Sequence, residues 1–196
     1  MQTTTLSFAN IHNHGELFAN MLRARRELFI VHNKWNLPEA MGMEYDQYDT
    51  PASRWVVVHD ESGKVLAGNR LTPTTHGCGI YSYMIRDAQR GLLETIPAIL
   101  LYDEAPVGEH IWESSRLFVS HDVPAAIRRR VHTQLIMQLG DTVRSLGATH
   151  CLTLLSATWP RWADRVGVKM RAMGPVLLID GIENQVVEMD FSGTRH

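Results

Sequence analysis

The most constraining feature of the sequence is a long amphipathic helix predicted over residues 124–146. Pro124 suits its first turn, and Gly147 is a natural stop. Apolar residues recur between them at a spacing of four, namely Ile127, Val131, Leu135, Leu139 and Val143. Strand-like segments lie on either side of this helix, at residues 111–119 and 151–155. A helix between two strands buries its apolar face against a sheet, which indicates a mixed α/β fold.

The remaining segments extend this mixed pattern. They predict helices at 14–32, 90–101 and 160–166, a hairpin at 55–72, and strands at 80–85, 173–179 and 186–191. This order favours a three-layer α/β or α+β domain with a partly antiparallel sheet. No segment is long enough to be a linker, so we expect a single domain over residues 1–196.

Composition excludes several classes of protein. Hydrophobic residues make up 44% and charged residues 20% of the 196 residues, as in globular proteins rather than disordered, collagen-like or coiled-coil chains. The formal net charge of −2 provides no global basic field for binding nucleic acid. The apolar runs are far shorter than the roughly 20 residues that span a bilayer. The two cysteines and ten histidines show no metal-ligand spacing, so we expect no metal site. Residues 1–5 lack the pattern of a signal peptide, and we expect a cytoplasmic protein.

Charge is distributed unevenly along the chain. Residues 36–120 hold twelve acidic residues against six Lys or Arg, whereas residues 121–171 hold eight Lys or Arg against three acidic residues. One part therefore suits a cation and the other an anion, although ordinary solvated surface explains the same counts. The segment 121–128 joins a strand to a helix N-terminus, where free backbone amides bind phosphate, and Arg128, Arg129 and Arg130 follow within two turns.

Arg25 lies within the apolar stripe of the helix predicted at 14–32. An arginine in that position either extends to the rim or is buried against a carboxylate. Asp46, Asp49 and Glu113 stand in segments with apolar or aromatic neighbours and are the candidate partners. The sequence therefore favours a polar network within a cleft.

Two further arginines lie in strands. Arg70 shares a strand face with Gly68, which leaves room for a ligand or another backbone, or indicates a barely packed edge. Glu113 and Arg116 are three residues apart, so they face opposite sides of a regular strand and share one face only if a β-bulge intervenes. They are either a structural ion pair or a base held ionised by its partners.

These residues together resemble the acyl-homoserine-lactone synthase (autoinducer synthase) family. The N-terminal family pattern appears here as Arg25, Phe29, Trp35, Asp46 and Asp49. Residues 68–75 are similar to the family's G-x-R-L-x-P-T-T, and residues 112–119 are similar to its W-E-x-S-R-F-x-V. The match runs from about residue 17 to 171, and it departs at Gln89, where the family usually carries an aromatic residue.

The resemblance implies a fold and a reaction. The fold is that of the GCN5-related N-acetyltransferases, a three-layer αβα sandwich whose central mixed sheet splays open to admit pantetheine. The α-amine of S-adenosylmethionine attacks an acyl thioester on acyl carrier protein or coenzyme A, and lactonisation then releases methylthioadenosine. The product is a quorum-sensing signal, and no tightly bound cofactor is implied.

The resemblance also implies roles for individual residues. Glu113 is the candidate base and Arg116 its positioning partner. Asp46 and Asp49 suit the sulfonium, and Arg25 or Arg70 suits the substrate carboxylate. Substrate binding falls to Phe29, Trp35, Thr153, Ser156, Phe118 and Val119, and carrier or phosphate binding to Arg128, Arg129 and Arg130.

Two other functions agree with the same residues. One is an N-acyltransferase of the same fold that acts on another amine. The other is a non-catalytic binder of acyl-CoA or acyl carrier protein.

Overall fold

A computed structural model describes residues 1–193 of the protein. The fold is mixed α/β with a mostly antiparallel central sheet, as the sequence predicts. The chain forms two compact units, one of residues 1–71 and 116–142 and the other of residues 72–115 and 143 onward. Strand β6 (Ile111–Val119) and helix α3 (Ala125–Ser145) each contribute residues to both units. Within residues 1–193, no helix is both long enough and apolar enough to cross a membrane.

The first unit contains an antiparallel sheet with strand order β1–β4–β5. These strands are β1 (Gln2–Leu6), β4 (Arg54–His59) and β5 (Val65–Pro73), of which the last two form the expected hairpin. Strand β1 is not expected from the sequence, yet its β-branched run Thr3–Thr5 pairs with Val56–Val58. Its threonines also bind α3, since the hydroxyl groups of Thr5 and Thr142 lie 2.8 Å apart.

Helix α1 (Leu17–Arg26) continues as a π-helix over Glu27–His32. The predicted helix at 14–32 therefore begins three residues later than expected and widens near its end. The short strands β2 (Glu39–Ala40) and β3 (Met43–Glu44) form a hairpin in a segment expected to be a loop. One side of the sheet is covered by a core that includes Leu6, Leu17, Met21, Leu22, Phe29, Trp55, Val57, Val65 and Phe118.

The second unit continues with strand order β6–β7–β10–β8, and β9 also pairs with β10. These strands are β7 (His150–Ser156), β8 (Lys169–Ala172), β9 (Leu177–Ile179) and β10 (Ile182–Asp190). Strands β6 and β7 are parallel, and their pairing covers Ile111–Glu113 against His150–Leu152. Strand β7 continues to Ser156, beyond the residues of this pairing.

The segment 80–101 differs from its prediction. A strand at 80–85 and a helix at 90–101 were expected, but the structure has helix α2 (Met84–Gln89). The buried carboxylate of Asp87 accepts hydrogen bonds from the Ser82 amide at 2.8 Å and the Ser82 hydroxyl at 2.7 Å. These bonds fix the backbone just before α2. The apolar segment 80–85 therefore leads into the helix and does not form a strand. The remaining helix, α4 (Trp159–Val166), lies close to the predicted 160–166.

Strand β6 contains a β-bulge. Thr74 donates its amide to Ile111, and Ser120 donates its amide to Leu66. Between these two hydrogen bonds β5 advances eight residues, from 66 to 74, while β6 advances nine, from 111 to 120, so β6 carries one extra residue. Arg116 has a φ of 53°, in the left-handed region where an extra residue is accommodated. The sequence expectation of a bulge in this strand is consistent with this extra residue, and the left-handed backbone marks Arg116 as part of the bulge.

Candidate active-site residues

Arg25 is buried on helix α1, with 1% of its side chain exposed. Its Nε donates to Oε2 of Glu44 at 2.5 Å. Its two terminal nitrogens donate to Oδ1 and Oδ2 of Asp49 at 2.7 and 2.9 Å. The guanidinium therefore has a carboxylate on each of its two hydrogen-bonding edges, and the burial predicted from the apolar stripe is confirmed.

Arg70, on strand β5, is a second buried arginine of the site. It is fully buried and binds Asp46 through both terminal nitrogens, at 2.5 and 3.2 Å. One of these nitrogens also lies 3.1 Å from Oδ2 of Asp49. The guanidinium stacks over the ring of Tyr48, 5.5 Å from its centroid. Two buried arginines thus hold two aspartates that lie three residues apart.

Arg116 completes the cluster from the bulge in β6. Its Nε donates to Oε1 of Glu44 at 3.1 Å, and a terminal nitrogen lies 2.8 Å from Oδ2 of Asp46. Its side chain is 12% exposed, against 1% for Arg25 and none for Arg70. We call these six residues the arginine–carboxylate network: Arg25, Arg70, Arg116, Glu44, Asp46 and Asp49.

Local backbone structure aligns the carboxylates. The β2–β3 hairpin turns at Met41 and Gly42, both with positive φ, and delivers Glu44. The Asp46 carboxylate accepts the amide of Tyr48, and the Asp49 carboxylate accepts the amide of Asp46.

Across the whole network, every oxygen of the three carboxylates is bound by an arginine, and three positive charges balance three negative ones.

Charge pairing outweighs burial in this network. Burial alone would raise the pKa of Asp49, but the charges of Arg70 and Arg25 hold that pKa well below its usual range. The pKa of Asp46 is also lowered, because the charges of Arg70 and Arg116 overcome the opposing effect of burial. The pKa of Arg25 is raised because Asp49 and Glu44 outweigh the desolvation of its guanidinium. The shifts of these three pKa values all favour the charged forms of Arg25, Asp46 and Asp49.

Glu44 was missed as a site residue. The sequence named Asp46, Asp49 and Glu113 as candidate partners of Arg25, and the structure provides Asp49 and Glu44. The sequence did contain an indication of its role: Glu44 begins the acidic cluster at 44–49 and provides a third carboxylate for the three arginines.

Glu113 lies in the second unit and is fully buried. Its Oε1 accepts the amide of Ile85 at 2.8 Å, and its Oε2 accepts the amide of Met84 at 3.2 Å. Arg116, which the sequence interpretation assigned to position Glu113, binds the carboxylates of Glu44 and Asp46. Backbone donors stabilise an ionised carboxylate and fix its orientation.

The predicted aromatic residues come together in the first unit. Phe29 stacks on Trp35 with ring centroids 5.1 Å apart and meets Phe118 edge-on at 5.9 Å. Arg116 lies over the Phe29 ring at 5.7 Å. A Cβ on Gly68 would lie 3.0 Å from the Phe118 ring and 3.4 Å from the carbonyl oxygen of Val56, so an aromatic side chain and the neighbouring backbone occupy the space left by this glycine.

The remaining predicted residues differ in their burial and in their contacts. Thr153 is buried on β7, and the Ser156 hydroxyl is exposed, 3.1 Å from that of Thr158. Arg128 donates to the carbonyl oxygens of Ser120 and Val119 at 2.9 and 3.2 Å and so caps the end of β6. Arg129 and Arg130 are exposed in the first turns of α3.

Known proteins are similar to this chain in sequence and in fold. A family model for autoinducer synthases matches residues 9–195. An acyl-homoserine-lactone synthase from Ralstonia solanacearum is 29% identical over 180 residues, which cover 87% of this chain and 82% of that protein. The crystal structure of TofI in a ternary complex with an inhibitor and MTA is 26% identical, has a TM-score of 0.77, and the similarity covers 97% of this chain and 92% of TofI. BjaI, a CoA-dependent acyl-homoserine lactone synthase with SAM and isopentyl-CoA, has the same fold at 21% identity, with a TM-score of 0.75 and coverage of 95% and 82%.

Replacement of Arg25 tests the network. Arg25→Met removes one of the two arginines that bind each of the buried carboxylates of Glu44 and Asp49, so we expect the free energy of unfolding to fall by about 3–5 kcal/mol. Urea denaturation measures this loss. The neighbouring Arg26→Met is the control, because Arg26 pairs with Glu39 and Glu27 at the surface and its loss is expected to change stability little. Equal effects in the two variants would contradict a buried network.

Acidification tests the lowered pKa values of Asp46 and Asp49. The ordinary Asp pKa is 3.8, and both groups lie below it in the folded protein. Their stabilisation is therefore present above about pH 4 and is lost as the pH falls towards their folded pKa values. Urea denaturation between about pH 6 and pH 3 should show this loss. Asp49→Asn should lose less stability than the wild type over the same interval; an equal loss would contradict the assignment.

Proposed function

Because the chain belongs to the autoinducer synthase family, we infer that it is an acyl-homoserine-lactone synthase. The observation that carries this inference is the arginine–carboxylate network, in which the arginines and aspartates of the family motifs meet in one cluster. The substrates are S-adenosylmethionine and an acyl thioester, and the product is a quorum-sensing signal.

The reaction has two steps. In the first, the amine nitrogen of S-adenosylmethionine attacks the thioester carbonyl; a C–N bond forms, the C–S bond breaks, and the thiol leaves. In the second, the substrate carboxylate oxygen attacks the γ-carbon, the bond to the sulfonium sulfur breaks, and neutral methylthioadenosine leaves. The first step needs a base for the amine proton, and the second needs mainly alignment, since a sulfonium is a good leaving group.

Glu113 is the base for the amine in this proposal. Its carboxylate is excluded from bulk water and is held by the amides of Met84 and Ile85. A base fixed in one orientation accepts a proton without first reorganising. Buried Thr153 and exposed Ser156 on β7 are assigned to the acyl chain.

The members of the network have different roles. Arg25 and Arg70 are positioning residues, because each is buried and bound by both terminal nitrogens to an aspartate. Asp46 and Asp49 supply negative potential for the sulfonium, and the partly exposed Arg116 receives the substrate carboxylate. Phe29, Trp35 and Phe118 form the apolar wall beside Arg116.

The acyl donor is coenzyme A or acyl carrier protein, both of which present phosphate. Arg129 and Arg130 are exposed at the start of α3, where backbone amides also favour an anion. Arg128 fixes the end of β6 at Val119, and we assign Val119 to the binding of the phosphopantetheine. No tightly bound cofactor is required.

Product analysis tests the function. The purified protein is incubated with S-adenosylmethionine and one set of acyl chains, each offered on coenzyme A and on acyl carrier protein, and the products are followed by mass spectrometry. We expect acyl-homoserine lactone and methylthioadenosine in equal amounts. An N-acylated product without methylthioadenosine would indicate an acyltransferase for another amine, and thioester binding without turnover would indicate a non-catalytic binder.

Glu113→Gln tests the base. Because glutamine cannot accept the amine proton, we expect acylation to slow by about 100-fold or more. The protein should still fold, with a lower melting temperature, because the glutamine oxygen accepts only one of the two amides that Glu113 binds. Glu188→Gln is the control, since Glu188 is a buried glutamate of the same unit that pairs with Arg171. Near-normal turnover in Glu113→Gln would place the base elsewhere.

A further inference from the structure

Thr72 carries a buried hydroxyl that the fold does not use. Its side chain is 1% exposed, and its Oγ1 has no hydrogen-bond partner among residues 1–193. Folded proteins rarely leave a buried hydroxyl unpaired, because the group gives up its hydrogen bonds to water and gains none in return. Such a group indicates a ligand that supplies the missing hydrogen bond.

The strand register places Thr72 opposite the candidate base. The amide of Thr74 donates to the carbonyl of Ile111, so these two residues face each other across the antiparallel β5–β6 pair. Two residues further along each strand, Thr72 faces Glu113. Residues opposite each other in antiparallel strands project from the same face, with Cβ atoms about 4.5–5.5 Å apart.

The two side chains offer complementary chemistry. Glu113 is held by the amides of Met84 and Ile85 and presents a fixed carboxylate. A hydroxyl oxygen beside a carboxylate forms a pair of acceptors, and the group that suits two adjacent acceptors is a primary ammonium with three N–H donors. Within the second unit, Thr72 and Glu113 therefore fit the amine end of an amino acid.

We propose that the Thr72 hydroxyl binds the amine of S-adenosylmethionine and orients it towards Glu113. This assignment rests on the proposed function. One N–H of the substrate nitrogen donates to Oγ1 of Thr72, and the ammonium gives a proton to the Glu113 carboxylate. Loss of this proton leaves a neutral amine, whose lone pair attacks the thioester carbon once the nitrogen has rotated about its bond to Cα, and the Thr72 hydroxyl holds the nitrogen in place meanwhile.

Binding of S-adenosylmethionine to Thr72→Val, measured by calorimetry, tests the proposal without depending on turnover. Valine has nearly the shape of threonine but no hydroxyl. Since a hydrogen bond to a charged group is lost, we expect the Kd for S-adenosylmethionine to rise about tenfold or more, and the KM for the acyl thioester to stay the same. The melting temperature should be unchanged or higher, because an unpaired buried hydroxyl has been removed. Thr72→Ser should restore binding.

Thr74→Val is the matched control. Thr74 is also 1% exposed, but its hydroxyl donates to the carbonyls of Gly108 and Ile111 and accepts the amide of Gly108. We expect this variant to melt at a lower temperature and to bind S-adenosylmethionine as the wild type does. We therefore expect Thr72→Val to weaken binding without loss of stability, and Thr74→Val to lower stability without a change in binding.

The outcomes separate this proposal from the proposed function. A Thr72→Val protein that binds S-adenosylmethionine as tightly as the wild type overturns the role of Thr72 and leaves the synthase function intact. A Thr72→Val protein that melts at a markedly lower temperature shows a structural hydroxyl and also overturns it. A wild-type protein that binds S-adenosylmethionine but forms no lactone with any donor overturns the synthase function alone.

Discussion

The first unit depends on charge balance inside a space that excludes water. Three arginines and three carboxylates meet there, and each carboxylate oxygen has an arginine partner. Burying any one of these groups alone is costly, so their positions are mutually dependent. Helix α1, the segment after β3, strand β5 and the end of β6 are thereby joined through side chains that ordinary apolar packing would not orient so specifically.

The bulge in β6 contributes one member of the network. Strand β6 carries one residue more than β5 between their described hydrogen bonds, and Arg116 is the residue with the left-handed backbone. The left-handed backbone at Arg116 directs its guanidinium to Glu44 and Asp46. One unfavourable backbone conformation in a non-glycine residue is therefore retained beside the residues to which the catalytic roles are assigned.

Part of the candidate site was indicated by residue types in unusual places. Arg25 in an apolar stripe proved to be buried and paired, because a charge among apolar residues requires a partner. Arg70 was expected beside space for a ligand or another backbone, or at a barely packed edge, and it too is buried and paired. Glu44 was missed because several acids lie close together at 44–49, and spacing alone does not select among them. Strand β1 was missed because a polar terminal run becomes a strand only when a neighbouring edge, here β4, supplies its hydrogen bonds.

The sequence by itself determined the alternation of helices and strands, the apolar face of α3 and the motifs that identify the family, because these depend on local periodicity and residue type. Tertiary structure alone decided which carboxylate each arginine binds, that Phe118 fills the space over Gly68, and that Thr72 faces Glu113 with an unpaired hydroxyl. Those relations join residues far apart in the chain, and strand register and the β6 bulge set them.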